Sequence, residues 1–459
     1  ARWFPVNEYT SDRYTMNLNV TAPTEFRVLS SGVDLKAEAG ANTVTSFKTT
    51  QPALYGSFSL VKVKPVQTSI EGVTTTMFFN NVAMANETGA MVSKAMNFLS
   101  DLNGKPPSVN LYLAETFKGF PNGYSAPGLL FLSPSGIGTE VNQRLIVNQV
   151  SRQWWGGLLS PTTRNHIWIV NGLARYSESM FFESTGGPSA VETEMRDVYV
   201  EALTQPEPPL IQSSRYEDYS PEFWAATAGK GSAVLNMLRG ILGKDKFEAT
   251  LKNFAKTFAY KQVSTNDIRK VAEQAYGSDL QYFFIQWIES SGAPEFKLTY
   301  TVFRTAKGLR ILGKVSQDLD TFRMPVKLKI ETEGNPEEKT VEVVGTSSEF
   351  SVETFGKPVI VKLDPDMQVL RYDDKIRVSV AIRKGEQFAE VSDFQEALKE
   401  YQKALEVNRN SSLGHYRVAE IFFLQNNYQA AANEFREVLN GDLEPKWTEV
   451  WTHINLGKI

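Results

Sequence analysis

The stretch Val147–Glu178, VNQVSRQWWGGLLSPTTRNHIWIVNGLARYSE, constrains the fold of this chain more than any other. Asn148, Gln149, Arg152, Gln153 and Trp154 read as one helix; Trp168, Asn171, Gly172, Ala174, Arg175, Tyr176 and Glu178 read as a second. Gly156-Gly157 and Ser160-Pro161 break the chain between them. Asn148 and Arg152 are spaced i and i+4, which places them on one face of the first helix. The predicted unit is two helices joined by a loop, with polar side chains at the places where they would meet.

This frame resembles the zinc site of the aminopeptidase-N-like gluzincin metallopeptidases. Gln153-Trp154-Trp155-Gly156 stands where that family has Gln-Trp-Phe-Gly, Ser160-Pro161 stands for Thr-Pro, and Gly172-Leu173-Ala174-Arg175-Tyr176 for Gly-Phe-Ala-x-Tyr. Arg152 and Asn171 bracket eighteen residues, as the second His and the Glu ligand do in the family. The resemblance places Asn148 and Arg152 at the two His ligands, Asn171 at the Glu ligand and Gln149 at the catalytic Glu. Zinc of this kind needs imidazole nitrogens and carboxylate oxygens at three protein positions, with water at the fourth. The site begins with two ligands at i and i+4. Here that face offers an amide and a guanidinium, and a guanidinium is a permanent cation with no lone pair to donate. Gln149 cannot take a proton from water. The expected metal site is therefore none, although zinc belongs to the family. Arg152 in a metal position is expected to need a carboxylate, because an unpaired buried charge is strongly disfavoured. Glu178, on the second helix, is the candidate.

Two further family positions are altered. Asn122-Gly123-Tyr124-Ser125-Ala126-Pro127-Gly128 lies about where the family has G-[AG]-M-E-N-[WP]-G, whose Glu grips the substrate amino terminus. That makes Gly123, Tyr124 and Ser125 the candidate substrate-binding residues, with Ser125 at the Glu. Ala228-Gly229-Lys230-Gly231 stands for Y-E-K-G, whose Tyr stabilises the oxyanion. Ala228 cannot do so, and Tyr216 and Tyr219 are the neighbouring phenols.

The expected architecture is multidomain α+β. Residues 1–70 alternate as strands, as in Tyr14–Val20, Phe26–Val28 and Phe58–Val63, with turns at Gly32, Gly40 and Gly56. Ala1-Arg2-Trp3-Phe4-Pro5 is similar to a segment partway through the family's amino-terminal β-domain, so this domain is expected to be partial. Residues 71–292 are expected to form the thermolysin-like, mainly helical domain. They include an amphipathic helix over 88–102, a strand over 109–113 and a helix capped by Thr265 that runs to about Ala275. Residues 293–376 return to strands ending in Leu363-Asp364-Pro365, which suits a small immunoglobulin-like β-sandwich. Residues 377–459 repeat with a 34-residue period: Phe394 with Tyr428, Ala397 with Ala431, Tyr401 with Phe435, Ala404 with Val438, Leu405 with Leu439. They resemble tetratricopeptide repeats.

Composition narrows function further. A net charge of −4 gives no footprint for nucleic acid or an anionic membrane. No apolar run approaches the ~18 residues of a membrane span. With no cysteine, thiolate chemistry is absent, and the three histidines, His166, His415 and His453, are far apart. The chain opens at Ala1 in a strand pattern and closes at Ile459 inside a repeat. It is expected to be a piece of a longer protein, with its compartment undetermined. The functional expectation is a catalytically inactive pseudopeptidase that binds a peptide or protein through the old cleft or the repeats, or serves as a scaffold. The alternative is an active zinc aminopeptidase with non-standard ligands.

Overall fold

Short alternating runs open the chain as strands: β1 (Asn17–Pro23), β2 (Arg27–Ser30), β3 (Val33–Glu38), β4 (Asn42–Lys48) and β5 (Phe58–Val61). The computed structural model describes residues 3–7, 10, 12–38, 41–306 and 308–459. Ala1-Arg2 of the opening motif and the Gly40 turn lie outside the described residues. One antiparallel sheet runs in the order β1-β4-β3, and β2 pairs with β5. Ala22, Val28 and Phe47 close a small core here.

The next sheet has the order β6-β7-β8-β10-β9, built from β6 (Val66–Ile70), β7 (Val73–Phe78), β8 (Asn110–Glu115), β9 (Gly123–Ala126) and β10 (Leu129–Leu132). The β6–β7 hairpin pairs Ile70 with Val73, so this sheet already begins at Val66, ahead of the compositional change at 70. Helix α1 (Ala85–Asn103) crosses from β7 to the parallel strand β8 and buries Val92, Ala95, Met96 and Leu99. After α2 (Pro134–Ile137) come the two motif helices, α3 (Gln143–Ser151) and α4 (Trp168–Gly186), with the two-residue strand β11 (Ser160–Pro161) between them. Then follow α5 (Pro188–Thr204), α6 (Pro221–Trp224), α7 (Gly231–Leu242), α8 (Lys244–Thr257), β12 (Gln262–Val263), α9 (Thr265–Tyr276) and α10 (Gln281–Phe284). The segment Ala225–Lys230 winds as a π-helix ahead of α7.

Two local expectations need correction. The first motif helix ends at Ser151 with Arg152 as its C-cap, so Gln153 and Trp154 lie in the turns beyond it. Gly156 has φ +123, and a Cβ at Gly157 would sit 2.5 Å from the Gln153 carbonyl, so the chain folds back sharply there. Helix α9 is capped by Ser264, not Thr265. Ser264 has the extended backbone of a cap, and its N–H donates to the Asp267 carboxylate at 2.8 Å. The Thr265 hydroxyl is used elsewhere, accepting from Trp168 Nε1 at 3.0 Å.

Residues 296–363 form two three-stranded antiparallel sheets, ordered β13-β14-β17 and β16-β15-β18: β13 (Phe296–Thr305), β14 (Gly308–Gln317), β15 (Met324–Thr332), β16 (Glu337–Val343), β17 (Ser347–Thr354) and β18 (Pro358–Leu363). Met324, Val326, Leu328 and Ile330 alternate into the interior along β15. Five helices close the chain: α11 (Asp374–Glu390), α12 (Phe394–Val407), α13 (Ser412–Leu424), α14 (Tyr428–Asn440) and α15 (Trp447–Lys458). The 34-residue spacing recurs at the helix caps and in three of the five pairs, while Tyr428 is exposed and Phe394 and Leu439 are half-buried. Ser392 and Asn426 are both left-handed, at φ 62 and 60. Asp393 and Asn427, the next residue in each case, cap α12 and α14. Ala397 and Ala431, Tyr401 and Phe435, and Ala404 and Val438 are all buried.

The chain divides into two compact units: Ala1–Glu194 with Pro209–Glu217 and Ala226–Ser290, and Met195–Pro208 with Asp218–Ala225 and Ser291–Ile459. No helix is long and apolar enough to cross a membrane among the described residues.

Candidate functional site

The scaffold of the motif is core. Trp154, Trp155, Trp168 and Tyr176 are buried completely. Trp154 Nε1 donates to the Gly104 carbonyl at 3.1 Å, and Tyr176 Oη donates to Asn236 Oδ1 on α7 at 3.0 Å. Helix α4 meets α7 without side chains between them: a Cβ at Gly172 would come within 2.8 Å of the Gly231 backbone. Helices α3 and α4 lie side by side on this core, which brings Asn148, Arg152 and Asn171 together.

Arg152 is the centre of that cluster. Its Nε donates to Asn148 Oδ1 at 3.0 Å, and its Nη1 donates to Asn171 Oδ1 at 3.1 Å. Each amide passes the connection on. Asn148 Nδ2 donates to Glu178 Oε1 at 2.7 Å, and Asn171 Nδ2 donates to Thr227 Oγ1 at 3.0 Å. Asn148 stands between Arg152 and Glu178, its candidate partner. The other oxygen of Glu178 accepts from Arg175 at 2.7 Å and from Arg144 at 3.1 Å. Arg144 also grips Glu194 with both nitrogens, at 2.6 and 2.7 Å, and the two carboxylates hold its guanidinium above the usual arginine range against the cost of burial.

Gln149 lies beside this network. Its Nε2 reaches Asn148 Oδ1 at 3.3 Å, while its Oε1 is buried with no hydrogen-bond partner among the described residues. Strand β9 presses on it, since a Cβ at Gly123 would fall 2.8 Å from Gln149 Cγ. Ser125 is tied to the motif as well: Gln153 Nε2 donates to Ser125 Oγ at 2.8 Å and to the Ala126 carbonyl at 3.0 Å. Gln153 Oε1 accepts from Gly128 N–H at 2.8 Å. Tyr124, on the same strand, is half exposed. Ala228 is buried in the π-helix and carries no phenol. Of the neighbouring phenols, Tyr219 stacks edge-on with Phe223 and tilts against Trp224, and the Tyr216 carbonyl is held by Arg164.

The residues do not fit zinc. The oxygens that Asn148 and Asn171 could offer face a guanidinium, and no imidazole or carboxylate stands at the three positions that the resemblance assigns to ligands. Among the described residues no three of His, Cys, Asp or Glu come together to hold a metal. His166 bonds Thr265, accepting from its N–H at 3.2 Å, and burial lowers its pKa. His415 pairs with Glu434 at 2.7 Å. The residues that sequence reasoning missed are Arg144, Glu194 and Thr227. Arg144 was findable, because Arg144, Asn148 and Arg152 recur every four residues along one helical face. Glu194 and Thr227 carry no local signal.

A second concavity lies in the carboxy-terminal helices. A groove of about 620 Å³ is lined by Glu386, Glu390, Arg417, Glu420, Phe423 and Leu424, among others. Arg417 spans Glu386 and Glu420, at 2.7 Å each.

The fold thus gathers two amides and a guanidinium where α3 and α4 meet. The comparisons with known proteins agree on the scaffold. Residues 134–287 match the Peptidase family M1 domain, and the curated relatives that the chain resembles are aminopeptidases. Aminopeptidase M1-D of Oryza sativa subsp. japonica is 21% identical over 316 residues, covering 64% of this chain and 36% of that one. Endoplasmic reticulum aminopeptidase 2 of Homo sapiens is 27% identical over 133 residues, covering 27% of this chain and 14% of that one. Among solved structures, Legionella pneumophila aminopeptidase A in complex with aspartic acid matches with a TM-score of 0.66 at 15% identity, over 94% of this chain and 58% of that one. The chain thus spans about a third of the length of the first of these relatives.

Proposed function

We propose that this chain is a catalytically inactive aminopeptidase-N-like protein that works by binding a peptide or protein partner. The observation that carries this reading is Arg152, whose guanidinium lies 3.0 and 3.1 Å from the amide oxygens of Asn148 and Asn171 at the ligand positions. A cation there repels a divalent metal. Without a metal-bound water, a general base at Gln149 or a phenol at Ala228, the reaction lacks its nucleophile, its base and its oxyanion donor. The repeat groove offers the binding surface. Its three carboxylates outnumber Arg417, and Leu424 is exposed at its wall. It suits a segment that carries a cation next to an apolar side chain.

The test measures zinc by plasma mass spectrometry after zinc loading and dialysis, together with hydrolysis of amino-terminal peptide substrates. Zinc well below one equivalent and no turnover are the expected results. Stoichiometric zinc with turnover removed by a chelator would return the chain to the active class. For the binding half, Leu424→Asp is expected to reduce capture of a basic peptide library. Unchanged capture would count against the groove.

A further inference from the structure

We propose that the Arg152 guanidinium does the mechanical work of the missing metal, locking α3 to α4 as a metal-free crosslink. The inference rests on placing Asn148, Arg152 and Asn171 at the metal positions. In a gluzincin frame the ion ties two side chains of the first helix to one of the second. Arg152 makes the same connections with one planar fork. Nε holds Asn148, one turn back on its own helix, and Nη1 holds Asn171 on α4. The rigid guanidinium fork meets two acceptors at fixed angles, whereas a lysine ammonium offers rotatable donors without that pre-organisation.

The partners are matched to a cation. An imidazole or carboxylate at 148 and 171 would suit a metal; a neutral amide presents an oxygen to Arg152 and keeps an N–H₂ for the next residue. Asn148 spends that donor on Glu178 and Asn171 spends it on Thr227. The chain Glu178–Asn148–Arg152–Asn171–Thr227 thereby joins α4, α3 and the π-helix before α7. Each amide has its oxygen on the guanidinium and its nitrogen on an acceptor. The substitutions form one consistent set.

Arg152 is thus a positioning residue, and thermal unfolding with a double-mutant cycle tests it. Wild-type protein is expected to unfold at the same temperature with zinc or with a chelator. Arg152→Met and Asn171→Leu are each expected to lower the unfolding temperature by about 5 °C. The double variant is expected to fall by less than the sum of the two, because both break the Arg152–Asn171 link. Additive shifts, or an Arg152→Met protein as stable as wild type, would overturn the proposal. If Arg152→Met does not fold, Arg152→Lys serves: it keeps the charge without the fork, and wild-type stability in that variant would equally overturn it. In a third arm, N148H/R152H/N171E is loaded with zinc alone. Uptake of about one equivalent that restores the lost stability supports the exchange of one crosslink for the other. Failure to take zinc, or uptake that leaves stability low, would overturn it. Peptidase assays on the wild type decide the proposed function separately: turnover there would sink that reading and leave this cycle standing.

Discussion

Asn148 turns its N–H₂ to Glu178 at 2.7 Å and its oxygen to Arg152 at 3.0 Å, so one amide connects a carboxylate to a guanidinium across two helices. Around that amide the site is organised as a junction of ions and amides. Glu178 is buried and collects Asn148, Arg175 and Arg144. Removing it strands the Asn148 amide and the largely buried Arg175, while Arg144 keeps Glu194 and water. Glu178→Ala is expected to cost about 3–5 kcal/mol, the range for breaking a buried ion pair from one side. Urea unfolding measures it. A loss below about 1 kcal/mol, typical of surface pairs, would mean the cluster is solvated.

Gln149 is the opposite case. Its Oε1 lies buried without a donor among the described residues. Replacing a stranded acceptor with an apolar group of similar shape removes a desolvation penalty of about 1–3 kcal/mol at the risk of small packing losses. Gln149→Met is expected to leave stability unchanged or raise it by up to about 1 kcal/mol. A clear loss in the same urea assay would show that Oε1 has a partner in solution.

How much of this the chain announced depends on the residue. Trp154, Trp155, Trp168 and Tyr176 were legible because a fixed frame of large side chains has few ways to bury itself, and all four are buried. The gathering of Asn148, Arg152 and Asn171 was legible for the same reason. The route of the charges was not. Glu178 was visible as a carboxylate near Arg152, but an amide with both a donor and an acceptor can stand between two ions, and spacing alone does not say which. Glu194 sits sixteen residues beyond Glu178, past the end of α4, where only tertiary structure brings it to Arg144. The cap of α9 was misplaced by one residue because Ser264 and Thr265 are chemically alike, and the choice turned on Asp267 and Trp168.

Gly172 and Gly231 face each other where α4 crosses α7. A Cβ on Gly172 would lie 2.8 Å from one backbone atom of Gly231 and 2.9 Å from another. Backbone cannot rotate aside as a side chain can, so Gly172→Ala must push the helices apart. It is expected to cost about 1–3 kcal/mol despite the better helix propensity of alanine. Gly172→Ala and Gly231→Ala together should cost less than their sum, because the first separation makes room for the second. Additive losses in chemical denaturation would rule out a shared crossing point.

His415 makes the repeats pH-sensitive. Its Nδ1 lies 2.7 Å from Glu434 and its Nε2 lies 3.0 Å from the Arg409 carbonyl, an arrangement that serves the imidazolium. The Glu434 hydrogen bond raises the pKa above the ordinary 6.5, against the opposing effect of burial. A raised folded value means the protonated form is favoured in the fold. The stabilisation is therefore complete below the unfolded value near 6.5 and is lost as pH rises through the raised folded value. Thermal unfolding scanned from pH 5 to 9 should show this loss, and His415→Gln should flatten it. An unchanged slope in His415→Gln would assign the pH dependence to another group.

The repeat helices close on a second glycine. A Cβ at Gly385 would stand 2.3 Å from Tyr401 Cε1 and 2.6 Å from Cδ1. Tyr401 cannot swing away at low cost: it is 1% exposed, and it packs with Ala381, Ala397, Ala404 and Ile421 in one core. Alanine at 385 therefore either displaces the ring or separates α11 from α12, in either case at a cost of about 1–3 kcal/mol. Quasi-one-dimensional arrays transmit such damage mainly to neighbours. Amide exchange should accelerate in α11 and α12 of Gly385→Ala, while α3 and α4 keep their protection. Equal acceleration in all four helices would mean that the chain unfolds as one cooperative body, and that the repeats contribute directly to the stability of the peptidase-like scaffold.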